Sequence, residues 1–171
     1  MSDETRTNHR TIGSLRTADG TGVVRMEDRY ATDVEDLWTA LTEPDRLSRW
    51  IAEVTGDLRL GGTFHARFTS SWDGPGRVDV CERPHHLVLS MCPGEPEETV
   101  IEAWLSADGD HTRLVVEERG FSLPEVAAHG AGWQAHVEDL AAHLADRPAG
   151  DWRSRWAELA PHYRRLAEDL S

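Results

Sequence analysis

The sequence has no lysine. All 18 basic residues are arginine, set against 31 aspartates and glutamates, for a net charge of −13. Chemistry that needs an ε-amino group, such as Schiff-base formation or the phosphate cradle of a P-loop, is therefore excluded. A surface this acidic repels phosphate backbones and anionic headgroups, so neither nucleic acid nor a membrane surface is an expected partner. Cysteine is scarce too. Two thiols make neither a disulfide framework nor a four-thiolate zinc site. No apolar run approaches the ~18 residues of a membrane span, and residues 1–10 lack the apolar segment of a secretory signal. The expectation is a soluble, cytoplasmic protein. Its 171 residues, seven of them tryptophan, fit one domain with a sizeable core.

Residues 1–10 have no periodicity and are expected to be a flexible tail. Runs 12–16 and 22–30 flank Asp19-Gly20, a hairpin signal because such a turn needs positive φ. Val24, Met26, Asp28 and Tyr30 alternate with Val23, Arg25, Glu27 and Arg29, the pattern of a half-buried strand with a charged outer face. The period then changes. Val34, Leu37, Trp38 and Leu41 fall at helical spacing behind a Thr32/Glu35 capping box, and Pro44 stops the helix. A second short helix presents Leu47, Trp50 and Ile51 on one face.

From Val54 to Gly120 the pattern is strands and tight turns. The expected strands are 53–60, 63–69, 77–83, 86–92, 98–106 and 112–120, with 72–76 as a loop. Their short links predict an antiparallel sheet. Cys81 then falls opposite Val88 and well away from Cys92, so both thiols are expected to be free. Next comes a long helix with Val126, Trp133, Val137, Leu140 and Leu144 as its apolar stripe. A Ser122/Glu125 capping box marks its start, but Gly130 and Gly132 weaken the first part and place the continuous helix as late as Ala131. Residues 147–150 break it. A last stripe of Trp152, Trp156, Leu159, Tyr163, Leu166 and Leu170 is expected to pack on the domain, with Pro161 kinking or restarting the helix.

The run Leu37-Trp38-Thr39-Ala40-Leu41-Thr42-Glu43-Pro44-Asp45-Arg46-Leu47-Ser48-Arg49-Trp50 resembles a signature of the SRPBCC (START-like, Bet v 1-like) superfamily. Leu60-Gly61-Gly62-Thr63-Phe64, Asp110-His111-Thr112-Arg113-Leu114 and Gly132-Trp133 with Leu140 are similar to later motifs of its branch related to the activator of Hsp90 ATPase (AHSA1-like). The resemblance implies an α+β helix-grip fold, in which a curved antiparallel sheet wraps a long C-terminal helix and two short helices follow the first strands. The domain would span 11–146, with 147–171 as a helical extension. The sequence departs from the pattern at Met91-Cys92, where many relatives carry a tryptophan, in an additional first strand, and in that extension.

Strand parity turns Phe64, Ala66, Phe68, Val78, Val80, Leu87, Leu89, Met91, Ile101, Ala103, Leu105, Leu114 and Val116 inward, together with Glu82 and Glu118. The candidate ligand-binding set is Phe64, Ala66, Phe68, Val80, Leu89, Met91, Ile101, Ala103, Val116 and Glu118, joined by Trp133 and Val137 from the last helix. Glu118 reads as a strand-end carboxylate reaching water, as a polar anchor in a pocket, or as a general acid or base. Trp72 reads either as core or as a gate residue in a loop. His129, His136 and His143 stand seven apart, about two helical turns, roughly 10 Å and too far to share one ion. They read as helix-surface histidines. No metal, cofactor or catalytic residue is assigned. The expected function is to bind a small apolar or amphipathic molecule between sheet and last helix. An enzyme like the polyketide cyclases and aromatases, or a protein-interaction module like a chaperone regulator, stays open, as does a homodimer.

Overall fold

Asp19 and Gly20 both take positive φ, +53° and +81°, and this two-residue turn folds the first hairpin. The computed structural model describes residues 12–170; the tail expected over 1–10 lies outside them. β1 (Gly13–Ala18) and β2 (Thr21–Tyr30) are followed by α1 (Val34–Thr42) and α2 (Pro44–Leu47). Next come β3 (Ala52–Gly56), β4 (Thr63–Phe68), β5 (Asp73–Glu82), β6 (His86–Met91), β7 (Thr99–Asp108) and β8 (His111–Phe121). Helices α3 (Leu123–Leu144) and α4 (Trp152–Glu168) close the chain. All eight strands form one antiparallel sheet in the order β1-β2-β8-β7-β6-β5-β4-β3. This is a helix-grip fold.

The helices divide the inner face of the sheet between them. α3 packs against β1 and β2, while α1 reaches β7 and β8 and α2 reaches β3. The floor made by β4 to β7 is therefore roofed by the short helices rather than by the long one.

Several local expectations are corrected. The cap of α1 is Asp33, whose Oδ1 accepts from the Asp36 N–H at 2.8 Å; the Thr32 hydroxyl instead donates to the Asp36 carboxylate at 2.6 Å. Ser122 precedes α3 but makes no side-chain cap bond. Residues 73–76 are strand, not loop. The Gly-Pro-Gly sequence makes room for rings: a Cβ on Gly76 would stand 2.3 Å from Phe64 Cζ, and one on Gly74 2.8 Å from the Trp72 ring. A bulge between Val78 and Val80 flips the parity of the rest of β5. Val80 then pairs with Val88 on the outer face, and Cys81 pairs with Leu87 on the inner one. Glu82, two residues on, faces outward like Val80 and pairs with His86, against the inward expectation.

Helix α3 is continuous from Leu123, not from Ala131, and α4 runs across Pro161. The glycines in α3 are explained by what lies against them. A Cβ on Gly130 would come within 2.6 Å of Tyr163 Cδ1 and 3.0 Å of Leu15 Cδ2, and one on Gly132 within 3.2 Å of the Trp152 ring. Tyr163 is fully buried, and its hydroxyl donates to Gln134 Oε1 at 2.6 Å. The segment after residue 147 thus lies on α3 and β1, burying Leu159 and Ala160 as well.

At an open helix position Gly→Ala gains about 1 kcal/mol. Gly130→Ala is expected to lose about 1–3 kcal/mol instead, because the new methyl overlaps Tyr163. Urea denaturation of the two proteins measures the sign, and a gain in stability would contradict this packing.

Candidate functional site

Two adjoining chambers lie under the helices. The inner one has a volume of about 100 Å³. Its floor is Phe64, Ala66, Val78, Leu87, Leu89, Ala103 and Val116, and its roof is Leu41, Leu47, Trp50 and Ile51. The polar groups that border it are already bonded. The Thr42 hydroxyl donates to Trp38 O at 2.8 Å, and the Trp50 N–H to Ala40 O at 2.9 Å. Its lining is almost entirely apolar, so it favours apolar matter over water.

The outer chamber is a cleft of about 840 Å³ between the β7–β8 end of the sheet, the Ser70–Trp72 turn, the first half of α3 and the start of α4. Phe68, Met91, Ile101 and Trp133 border both chambers. Aromatic rings dominate its wall. Phe68 and Trp72 meet edge to face with centroids 5.4 Å apart, and Phe121 stacks on His129 at 4.0 Å. Trp152 and Trp156 arrive from α4, anchored by indole bonds to Gly132 O at 3.3 Å and Ala128 O at 2.9 Å. Glu97, Glu125 and Arg153 are the charged residues at its edge.

Two titratable groups sit inside. Glu118, on β8, is a half-buried residue with an enclosed carboxyl. One oxygen accepts from Trp133 Nε1 at 2.7 Å and the other from the Thr99 hydroxyl at 2.6 Å. Burial raises its pKa above the ordinary carboxylate range; the two hydrogen bonds oppose the shift but do not cancel it. His136, on α3, is 4% exposed and lies among Phe68, Trp133 and Trp152, with centroids 5.9, 6.0 and 5.2 Å away. Its Nδ1 has no hydrogen-bond partner. Burial lowers its pKa to about 3, so the ring is neutral at physiological pH. Leaving a buried polar atom unmet costs about 1–3 kcal/mol.

Phe64, Ala66, Phe68, Leu89, Met91, Ile101, Ala103, Val116 and Trp133 come together around the inner chamber. Glu118 lines the outer one. Val80 is carried away by the β5 bulge, and Val137 is buried in the core without bordering either chamber. The inner chamber also differs from expectation in its roof: α3 crosses the sheet at β1 and β2, so Trp133 is its only contribution there. Trp72 is half-buried on Phe68. His136, expected on the helix surface, is buried. The signal was present in the spacing, since Gly132 lies one turn before it and marks the face on which α4 packs. His143 accepts from Arg46 Nε at 3.1 Å. Among the described residues no cluster of three metal-ligating side chains is found, and no helix is long and apolar enough to cross a membrane.

Residues 31–145 match the family described as Activator of Hsp90 ATPase homolog 1-like protein, and the chain belongs to that family. The crystal structure of CalU16 from Micromonospora echinospora is similar, with 26% identity and a TM-score of 0.75 over 93% of this chain and 98% of that one. The solution structure of CalU16 gives 27% identity and 0.77 over 95% and 98%. DynU16, a protein in the dynemicin biosynthetic locus, is 25% identical with a TM-score of 0.69, covering 78% of this chain and 51% of its own. No curated protein sequence matches significantly.

His136→Phe is expected to stabilise the fold by about 1–3 kcal/mol at neutral pH, because a ring of similar size replaces an unmet polar one. The gain should grow on acidification. Below the ordinary value of 6.5 the unfolded chain protonates His136 and the folded chain does not until about pH 3, so the wild type loses stability over that window. Asp139, pushed up to about 6 by burial, acts with the opposite sign but is common to both proteins. Denaturation midpoints of the pair between pH 7 and 4 check this; a constant gap would contradict a buried neutral imidazole.

Proposed function

We propose that this protein binds a small amphipathic molecule, placing an apolar end in the inner chamber and the remainder in the aromatic cleft. The observation that carries the reading is an almost wholly apolar chamber set directly beside a wide, ring-lined cleft. An engineered apolar cavity of about 150 Å³ binds benzene, so the inner chamber suits one small ring or a short alkyl group. The four side chains common to both chambers are the route between them. The likeness to DynU16, from the dynemicin biosynthetic locus, is in keeping with a small-molecule ligand.

A second reading, an enzyme of the polyketide cyclase kind, is favoured by one observation. The carboxyl of Glu118 and the imidazole of His136 both contact Trp133 and both line the cleft. Binding comes first in either case.

Nile red fluorescence tests it. The folded protein should take up about one dye per chain. Ala103→Trp fills the inner chamber with an indole and should weaken uptake by about tenfold or more. Ala66→Trp serves the same purpose from the neighbouring side of the floor. Unchanged dye binding by a folded variant would overturn the proposal, as would a wild type that binds no dye.

A further inference from the structure

We infer that the ligand is a monocarboxylate, whose apolar end enters the inner chamber and whose carboxylate pairs with Arg153 in the cleft. The inference rests on the small-molecule reading above and narrows it to a ligand class.

The first observation is that Arg153 is a free cation. It is the one arginine that lines either chamber. It is exposed, and among the described residues its guanidinium makes no ion pair or hydrogen bond. Asp151 attracts it across space, but the Asp151 carboxylate is engaged by the Ser154 hydroxyl at 2.7 Å. Arg155, by contrast, is held by Glu138 at 2.6 and 2.8 Å. A guanidinium offers a planar fork of donors that matches a carboxylate.

The second observation is that the cleft is polarised. Phe68, which lines both chambers, lies 5.9 Å from the His136 ring, and that ring lies 5.2 Å from Trp152, the residue before Arg153. The Ser70–Trp72 turn is at the same end, since Trp72 meets Phe68. Ser70 Oγ accepts from the Trp72 N–H at 3.4 Å, which leaves its O–H to donate. The free carboxylates stand elsewhere. Glu125 is in the first turn of α3, seven residues before the Gly132 on which Trp152 packs, or roughly 10 Å of helix away. Glu97 precedes Glu98, whose carbonyl lies against Gly120 and so beside Phe121 and Ser122. Both oxygens of Glu118 already accept bonds, from Thr99 and Trp133. A ligand anchored through the Phe68 junction therefore meets Arg153 and donor hydroxyls at its outer end. One guanidinium balances one negative charge. A phosphate monoester carries nearly two, and its excess would face Glu97 and Glu125.

Three probes that share a phenyl ring and a six-carbon chain separate the charge classes: 6-phenylhexanoate, the neutral 6-phenylhexanamide and the cationic 6-phenylhexylamine. Calorimetric titration of the wild type should show the carboxylate binding about fivefold more tightly than the amide, the scale of one part-exposed ion pair. Arg153→Gln should erase that preference and leave the affinity for the amide unchanged, whereas Arg153→Lys should retain part of it. Arg164→Gln removes the same charge from an exposed position of α4 that lines neither chamber, and should leave the preference intact. Equal affinity for carboxylate and amide, tightest binding of the amine, a preference that survives Arg153→Gln, or an equal loss in Arg164→Gln would overturn the inference and leave the binding function standing. A wild type that binds none of the three would overturn both.

Discussion

The hydrogen bond from the Trp133 indole to Glu118 fixes the relation between the long helix and the sheet, and the site depends on that relation. At 2.7 Å it joins the first half of α3 to β8, and the ring it holds borders both chambers. A carboxyl enclosed this far is costly unless it is bonded or protonated. Here two neutral donors meet it and no cation does, so burial wins and its pKa rises. Beyond the Trp133 ring, the inner chamber is lined almost wholly by apolar side chains.

The parts added to the family match complete the arrangement. Residues 31–145 carry the match, yet β1 and α4 lie outside it and pack on each other across α3. Tyr163 reaches from α4 toward Gly13 on β1 and passes over Gly130, and its hydroxyl bonds to Gln134. Two glycines in a helix cost propensity, but they let α4 approach closely enough for Trp152 and Trp156 to stand over the cleft. The extension is thus a wall of the site as well as a cover for the core.

Much of this was legible in the sequence where local chemistry decides. Asp19-Gly20 placed the first turn, and alternation identified the strands and ten of the residues around the inner chamber. It failed where a tertiary contact decides. No local pattern marks the bulge at Val78/Val80, yet it inverts Val80 and Cys81. Gly74-Pro75-Gly76 has the composition of a loop and is strand because Phe64 and Trp72 lie over it. His136 has the composition of a helix surface and is buried because α4 covers it.

The central claim is that an apolar group enters the inner chamber, and intermolecular nuclear Overhauser effects between bound benzene and methyl-labelled protein test it most directly. The account predicts contacts from benzene protons to the methyls of Ala66 and Ala103, which border that chamber. Contacts confined to Val88 on the outer face of the sheet, with Ala66 and Ala103 silent, would contradict it.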